Sequence, residues 1–177
     1  MKKIKIVLLC IIFVFVCLAS MFFSGFKTKY LDEITQECKN YNLNQSLVLA
    51  IIKAESKFDE KCVSSVNAMG LMQILPSTAS WIAKQLNDED FKESDLFASS
   101  TNIKYGCYYL RYLLDYYNQN EQLTICAYNA GMGTVNKWIK DETIYKNEKL
   151  VSIPYKETQN YLKKVNINKK IYSLFIV

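Results

Sequence analysis

The 177-residue chain contains no histidine. That absence excludes Ser-His-Asp and Cys-His nucleophilic machinery and any zinc site that needs imidazole. Acid–base work is left to carboxylates, tyrosines, lysines or thiols. Arginine is nearly missing too: Arg111 stands alone, and no Lys/Arg block or stripe replaces it. Nucleic-acid binding therefore has little electrostatic support. The chain has only two prolines and five glycines, and no Pro/Gly/Ser-rich linker, low-complexity tract or internal repeat interrupts residues 30–177. Such scarcity of breakers, with long Lys/Glu/Asn/Leu/Tyr stretches, points to one compact all-α domain. With 50% apolar and 14% aromatic residues, the chain has ample material for a core and is not a disordered one.

What is present begins with a membrane signal. Lys2, Lys3 and Lys5 precede a run without charge from Ile6 to Phe26, closed by Lys27 and Lys29. Its 21 residues exceed the roughly 7–15 of a secretory core and reach the roughly 20 that span a bilayer. Residues 1–26 are thus expected to be a signal-anchor, with Cys17-Leu18-Ala19 as an alternative cleavage site. The basic start keeps the N-terminus in the cytoplasm and places residues 27–177 outside it, on the wall side. Three lysines lie in that segment, which leaves +2 of the net +5 on the exported part. Cys38, Cys62, Cys107 and Cys126 lie beyond the anchor with no C-x-x-C spacing. Export permits disulfides in three pairings, and buried free thiols fit equally well.

The expected helices are 30–40, 45–55, 76–86, 102–118, 122–130, 134–140 and 155–165 or beyond. Asn44 suits an N-cap, Gly131 a helix end, and Pro76 and Pro154 first-turn positions. In the second helix Leu47, Val48, Ile51 and Ile52 form an apolar stripe, and Glu55 continues it, four residues past Ile51 and three past Ile52. A carboxyl facing apolar side chains at the negative end of a helix resists ionisation. A general acid working near neutral pH needs that property, although a structural ion pair is the common alternative for a helix-end Glu. The tyrosines at 105, 108, 109, 112, 116 and 117 are assigned mostly to packing. Tyr128, beside polar Asn129 and the breaker Gly131, reads as a cleft edge.

Ordered segments surround that glutamate. Glu55-Ser56-Lys57-Phe58 leads to Ser64-Ser65-Val66-Asn67-Ala68-Met69-Gly70-Leu71-Met72-Gln73 and Pro76-Ser77-Thr78-Ala79. Ala127-Tyr128-Asn129-Ala130-Gly131 follows, then Ile153-Pro154-Tyr155-Lys156-Glu157-Thr158 and Tyr161. In this order they resemble lytic transglycosylases of the soluble-transglycosylase (SLT) type, over roughly residues 43–172. The resemblance implies a goose-type-lysozyme-like fold with Glu55 as the catalytic acid/base. It further implies Ser56, Met72, Gln73, Tyr128, Asn129, Glu157 and Tyr161 as substrate-binding positions, and Tyr172 as a weaker candidate for the family's terminal tyrosine. Gln73 offers an amide for N-acetyl groups and hydroxyls, and tyrosines offer a flat face plus a hydroxyl. The sequence departs from the family pattern at Asn67, often Gly, and at Met132, often Pro. Asn tolerates left-handed backbone, so the loop survives.

No second carboxylate is expected opposite Glu55, so a single-carboxylate mechanism fits better than a flanking pair. By the resemblance, neutral Glu55 protonates the oxygen between N-acetylmuramic acid and N-acetylglucosamine. The muramyl 6-hydroxyl then closes onto the anomeric carbon to give a 1,6-anhydro end, with no metal or organic cofactor. The implied partners are peptidoglycan glycan strands and, through residues 1–26, the membrane; no protein partner is indicated. A muramidase on the same fold, releasing reducing ends, is the alternative reading, and a non-catalytic wall-binding scaffold is a third.

Overall fold

A computed structural model describes Phe13 and residues 30–176. Except for Phe13, the segment read as an anchor, residues 1–26, lies outside them, and no described helix is long and apolar enough to cross a membrane.

Among the described residues seven α-helices carry the fold: α1 (Leu31–Asn40), α2 (Gln45–Glu55), α3 (Pro76–Gln85), α4 (Ser99–Tyr116), α5 (Glu121–Ala130), α6 (Met132–Ile139) and α7 (Lys156–Tyr172). All seven expected helices are present. Asn44 caps α2, its side chain accepting from the Leu47 amide at 3.0 Å, and Pro76 is the first residue of α3. Pro154 corrects the reading of α7: it precedes the N-cap Tyr155 instead of sitting in the first turn. Two short elements had no helical or strand periodicity to show them. One is a 3-10 turn, Glu93–Phe97; the other is the hairpin β1 (Tyr145–Lys146) and β2 (Lys149–Leu150). The hairpin turns on Asn147 and Glu148, both at positive φ (51° and 61°), a geometry more often signalled by Gly.

The helix carrying Glu55 is more deeply placed than a single stripe implies. Leu49 and Ala50 are buried alongside Leu47, Val48, Ile51 and Ile52, so every side of α2 up to Ile52 meets protein. A helix apolar all round is a core helix. Each of its leucines and isoleucines contributes about 1.5–3 kcal/mol on burial, which fixes α2 against sliding or rotation. Among the described helices its most extensive partner is α7, whose Tyr161, Leu162, Val165 and Tyr172 form the facing stripe; α1 covers another side. Glu55, the last residue of α2, thus emerges from the core at a position set from all sides. Cys38, Cys107 and Cys126 are buried, Cys62 is half-buried, and all four are unpaired thiols.

Candidate active site

Glu55 is flanked by α7. The Tyr161 hydroxyl donates to Glu55 Oε1 at 2.6 Å, across 106 residues of sequence. Oε2 makes no hydrogen bond among the described residues and is the oxygen left for a ligand. Burial pushes the Glu55 carboxyl up from 4.5 to about 7; the Tyr161 hydrogen bond and the Lys164 charge oppose that rise, and Glu157 adds to it. Lys164 is held in place by donating to the Ala54 carbonyl at 2.6 Å, at the end of the same helix. Tyr161 is itself driven well above its ordinary value, by burial first and by the Glu55 charge second, so it remains a neutral donor.

The loop between α2 and α3 brings Gln73 to a cleft that Tyr128 and Asn129 of α5 also line. Two antiparallel bridges, Val63 to Met69 and Met69 to Ile74, fold it back on itself. Gly70 has φ +77°, and a Cβ there would collide with the Asn102 side chain and the Leu96 carbonyl, so glycine is required twice over. Asn102, fully buried on α4, clamps this turn. Its Oδ1 accepts from the Met72 amide at 2.7 Å, and its Nδ2 donates to the Met69 and Leu96 carbonyls at 2.9 and 2.8 Å. Asn67 adopts φ +62°, the left-handed backbone that this side chain tolerates.

Gln73 also adopts positive φ, 50°, and its Nε2 donates to the Gly70 and Cys62 carbonyls at 2.8 and 3.0 Å. Its amide NH₂ is therefore spent on the loop, which leaves Oε1 to accept from a ligand. The Tyr128 hydroxyl donates to the Met72 carbonyl at 2.9 Å, and the residue lines the cleft. Asn129 accepts from the Thr158 hydroxyl at 2.8 Å and lies 3.5 Å from Glu157 Oε1, which ties α5 to the exposed start of α7. Gln73, Thr78, Tyr109, Tyr128, Asn129 and Gly131 surround a cleft of about 220 Å³.

Not every residue implied by the resemblance reaches this surface. The Ser56 side chain is buried: its hydroxyl donates to the Ile52 carbonyl at 3.3 Å and accepts from the Phe58 amide at 3.1 Å. Met72 is fully buried, packed where Gly106 leaves room for it. Tyr172 is 1% exposed and packs edge-on against Phe58. All three hold the frame, and Ser56 and Met72 are corrected from groove positions to core positions, because their buried side chains leave no face for a ligand. A further correction concerns the α4 tyrosines. Tyr105 and Tyr117 are core, but Tyr109 lines the cleft, and Tyr112 and Tyr116 are 36% and 49% exposed. Asn102 was missed although its signal existed: it shares a buried stripe with Gly106, Leu110 and Leu113, as Glu55 does with Ile51. Lys164 carried no such signal.

The profile of the Transglycosylase SLT domain family matches residues 32–151. The chain belongs to that family. It is 35% identical over 143 residues to the soluble lytic murein transglycosylase of Salmonella typhimurium, covering 79% of this chain and 22% of that protein. It is 30% identical over 167 residues to the membrane-bound lytic murein transglycosylase C of Glaesserella parasuis, covering 78% of this chain and 44% of the other. The structure of the lytic transglycosylase Slt from Pseudomonas aeruginosa, an inactive Glu-to-Gln mutant, superposes with a TM-score of 0.77 at 31% identity. That superposition covers 84% of this chain and 24% of the other. The chain spans less than half the length of these relatives.

Proposed function

We propose that this protein is a peptidoglycan lytic transglycosylase in which Glu55 alone serves as acid and then base. The observation that carries the reading is a carboxyl held near pKa 7 by burial, with one oxygen taken by Tyr161 and the other left for a ligand. Neutral Glu55 donates its proton to the oxygen joining N-acetylmuramic acid to N-acetylglucosamine, and the bond from that oxygen to the anomeric carbon breaks. The carboxylate so formed is stabilised by the Tyr161 hydroxyl and the nearby Lys164 ammonium. It then takes the proton of the muramyl 6-hydroxyl, whose oxygen bonds to the anomeric carbon. The ring closes, Glu55 is neutral again, and no water is consumed. Gln73 Oε1, the Tyr128 ring, Asn129 and Glu157 are the groups proposed to hold the sugars.

Residues 1–26 are proposed to anchor residues 27–177 outside the cytoplasm. The unbroken run of 21 uncharged residues and the membrane-bound relatives support that placement.

The test is digestion of purified cell wall followed by mass spectrometry. The wild-type chain is expected to release 1,6-anhydromuramyl ends, and Glu55→Gln to clear nothing while keeping its helical circular dichroism. Reducing ends alone would show a muramidase instead, and wild-type turnover by Glu55→Gln would sink the assignment.

A further inference from the structure

Cys38 and Cys107 take no part in lining the cleft, yet they meet inside the domain. Their helices, α1 and α4, run side by side in the same direction and are pinned at both ends. At the start the Ser99 hydroxyl donates to Glu33 Oε1 at 3.1 Å. At the end Arg111 Nη1 donates to the Asn42 carbonyl at 3.4 Å, and the Tyr41 and Tyr108 rings stand edge-on with centroids 5.9 Å apart. These partners lie 66 to 69 positions apart in sequence. Cys38 and Cys107, 69 apart, fall in the same register between the pins. The Cys107 thiol hydrogen-bonds to Cys38, and that contact, then burial, pushes it well above its ordinary value. Both side chains are buried, and both are thiols in the structure. The other two thiols have no such partner. Burial alone pushes Cys126 up to about 12, and Cys62 belongs to the loop that carries Gln73, its carbonyl accepting from Gln73 Nε2.

We propose that Cys38 and Cys107 are a disulfide site, closed in the exported chain to one S–S bond that staples α1 to α4. The proposal rests on the reading that residues 27–177 lie outside the cytoplasm, where disulfides persist. The oxidant is a disulfide, small or protein-borne, supplied in that compartment. The thiolate of one cysteine attacks it, one of its sulfurs leaves as a thiol, and the second cysteine displaces the other. Two S–H bonds and the donor's S–S bond are thereby exchanged for the Cys38–Cys107 bond and two donor thiols. The donor takes up the two electrons and the two protons. Burial dictates when this happens. Once the helices have packed, both sulfurs are shielded from any oxidant and Cys107 is held as an unreactive thiol. Exchange therefore belongs to folding, before α1 docks, and the finished core then shields the bond from reductants. A crosslink that closes so long a loop restricts the unfolded chain more than a short one does. It also fastens α4, whose Gly106 makes room for Met72, to the first helix of the domain.

The test refolds the full-length chain in detergent from urea, in a buffer of oxidised and reduced glutathione and, in parallel, in excess dithiothreitol. Free thiols are alkylated, and the chain is digested without reductant and mapped by mass spectrometry. The glutathione sample is expected to yield one crosslinked fragment joining Cys38 to Cys107, with Cys62 and Cys126 alkylated. The bridged chain should melt about 5–15 °C above the dithiothreitol sample. Cys107→Ala should melt alike in both buffers. Alkylation of both Cys38 and Cys107 in the glutathione sample, or a bond from either to another cysteine, would overturn the proposal. A bridged chain melting at or below the reduced one would overturn it too, as would an equal gap between buffers in Cys107→Ala. Protease added to wall-stripped cells reads the placement separately. A domain protected from that protease would remove the export reading, while the glutathione map alone decides the pairing.

Discussion

In the proposed mechanism Glu55 carries two opposed demands. It must sit deep enough to keep its proton near neutral pH, yet become a carboxylate within each cycle. Burial answers the first, and Tyr161 with Lys164 the second. Since the proposed mechanism begins from the protonated form, kcat/KM for wall glycan should fall about tenfold per pH unit above about 7. Tyr161 favours the charged carboxylate, so Tyr161→Phe should move that alkaline limb to higher pH while lowering kcat, as a pH–rate profile would show. The same burial sets a stability effect whose sign is fixed. Between 4.5 and about 7 the folded chain keeps a proton that the unfolded chain has released, so stability falls as pH rises through that window. Glu55→Gln escapes the penalty. The variant should melt above wild type at pH 8, by an amount on the order of 1–3 kcal/mol, with the gap closing near pH 4. A thermal scan at the two pH values checks this, and a variant melting lower at pH 8 would contradict it. The position of Glu55 was legible because one helix period and one misplaced carboxyl suffice to mark it. Its partner was legible only through the family's late tyrosine, since no local pattern ties residue 161 to residue 55.

At the scale of elements, the loop from Cys62 to Ile74 does what a rigid strand does in other enzymes, without regular structure. Its shape is imposed by Gly70, by the positive φ of Asn67 and Gln73, and by the buried amide of Asn102. Asn102→Ala removes three buried hydrogen bonds and leaves their partners unsatisfied, so it should cost roughly 2–4 kcal/mol. Beyond lowering the melting point, it should raise KM for glycan because Gln73 loses its support; chemical denaturation and steady-state kinetics together would detect both. Helix positions were readable from periodicity because their faces repeat. The hairpin at Tyr145–Leu150 and the 3-10 turn at Glu93–Phe97 were not, since neither is long enough to establish a period. The exposed tyrosines of α4 were misassigned for a related reason. Period places Tyr109, Tyr112 and Tyr116 on one face of a helix, but it does not say whether that face meets a neighbouring helix or a groove.

For the whole molecule, α2 and α7 form the central joint. Tyr161, Leu162, Val165 and Tyr172 are all buried against the rest of the domain, which makes the last helix part of the core. A chain ending at Ser152 should therefore lack cooperative unfolding in a thermal scan as well as wall-cleaving activity; a sharp transition in that truncated chain would show that α7 is an accessory. Because Glu55 and its hydroxyl partner are separated by 106 residues, the active centre closes one of the longest loops the domain contains. Ribosomes deliver the N-terminal half first, so the glutamate leaves the ribosome long before the tyrosine that must steady it. Until the final helix has docked, the carboxyl lacks both the Tyr161 hydrogen bond and the burial that α7 gives it. Under the proposed function the fold thus contains its own timing: the wall-directed activity waits for the last helix to dock.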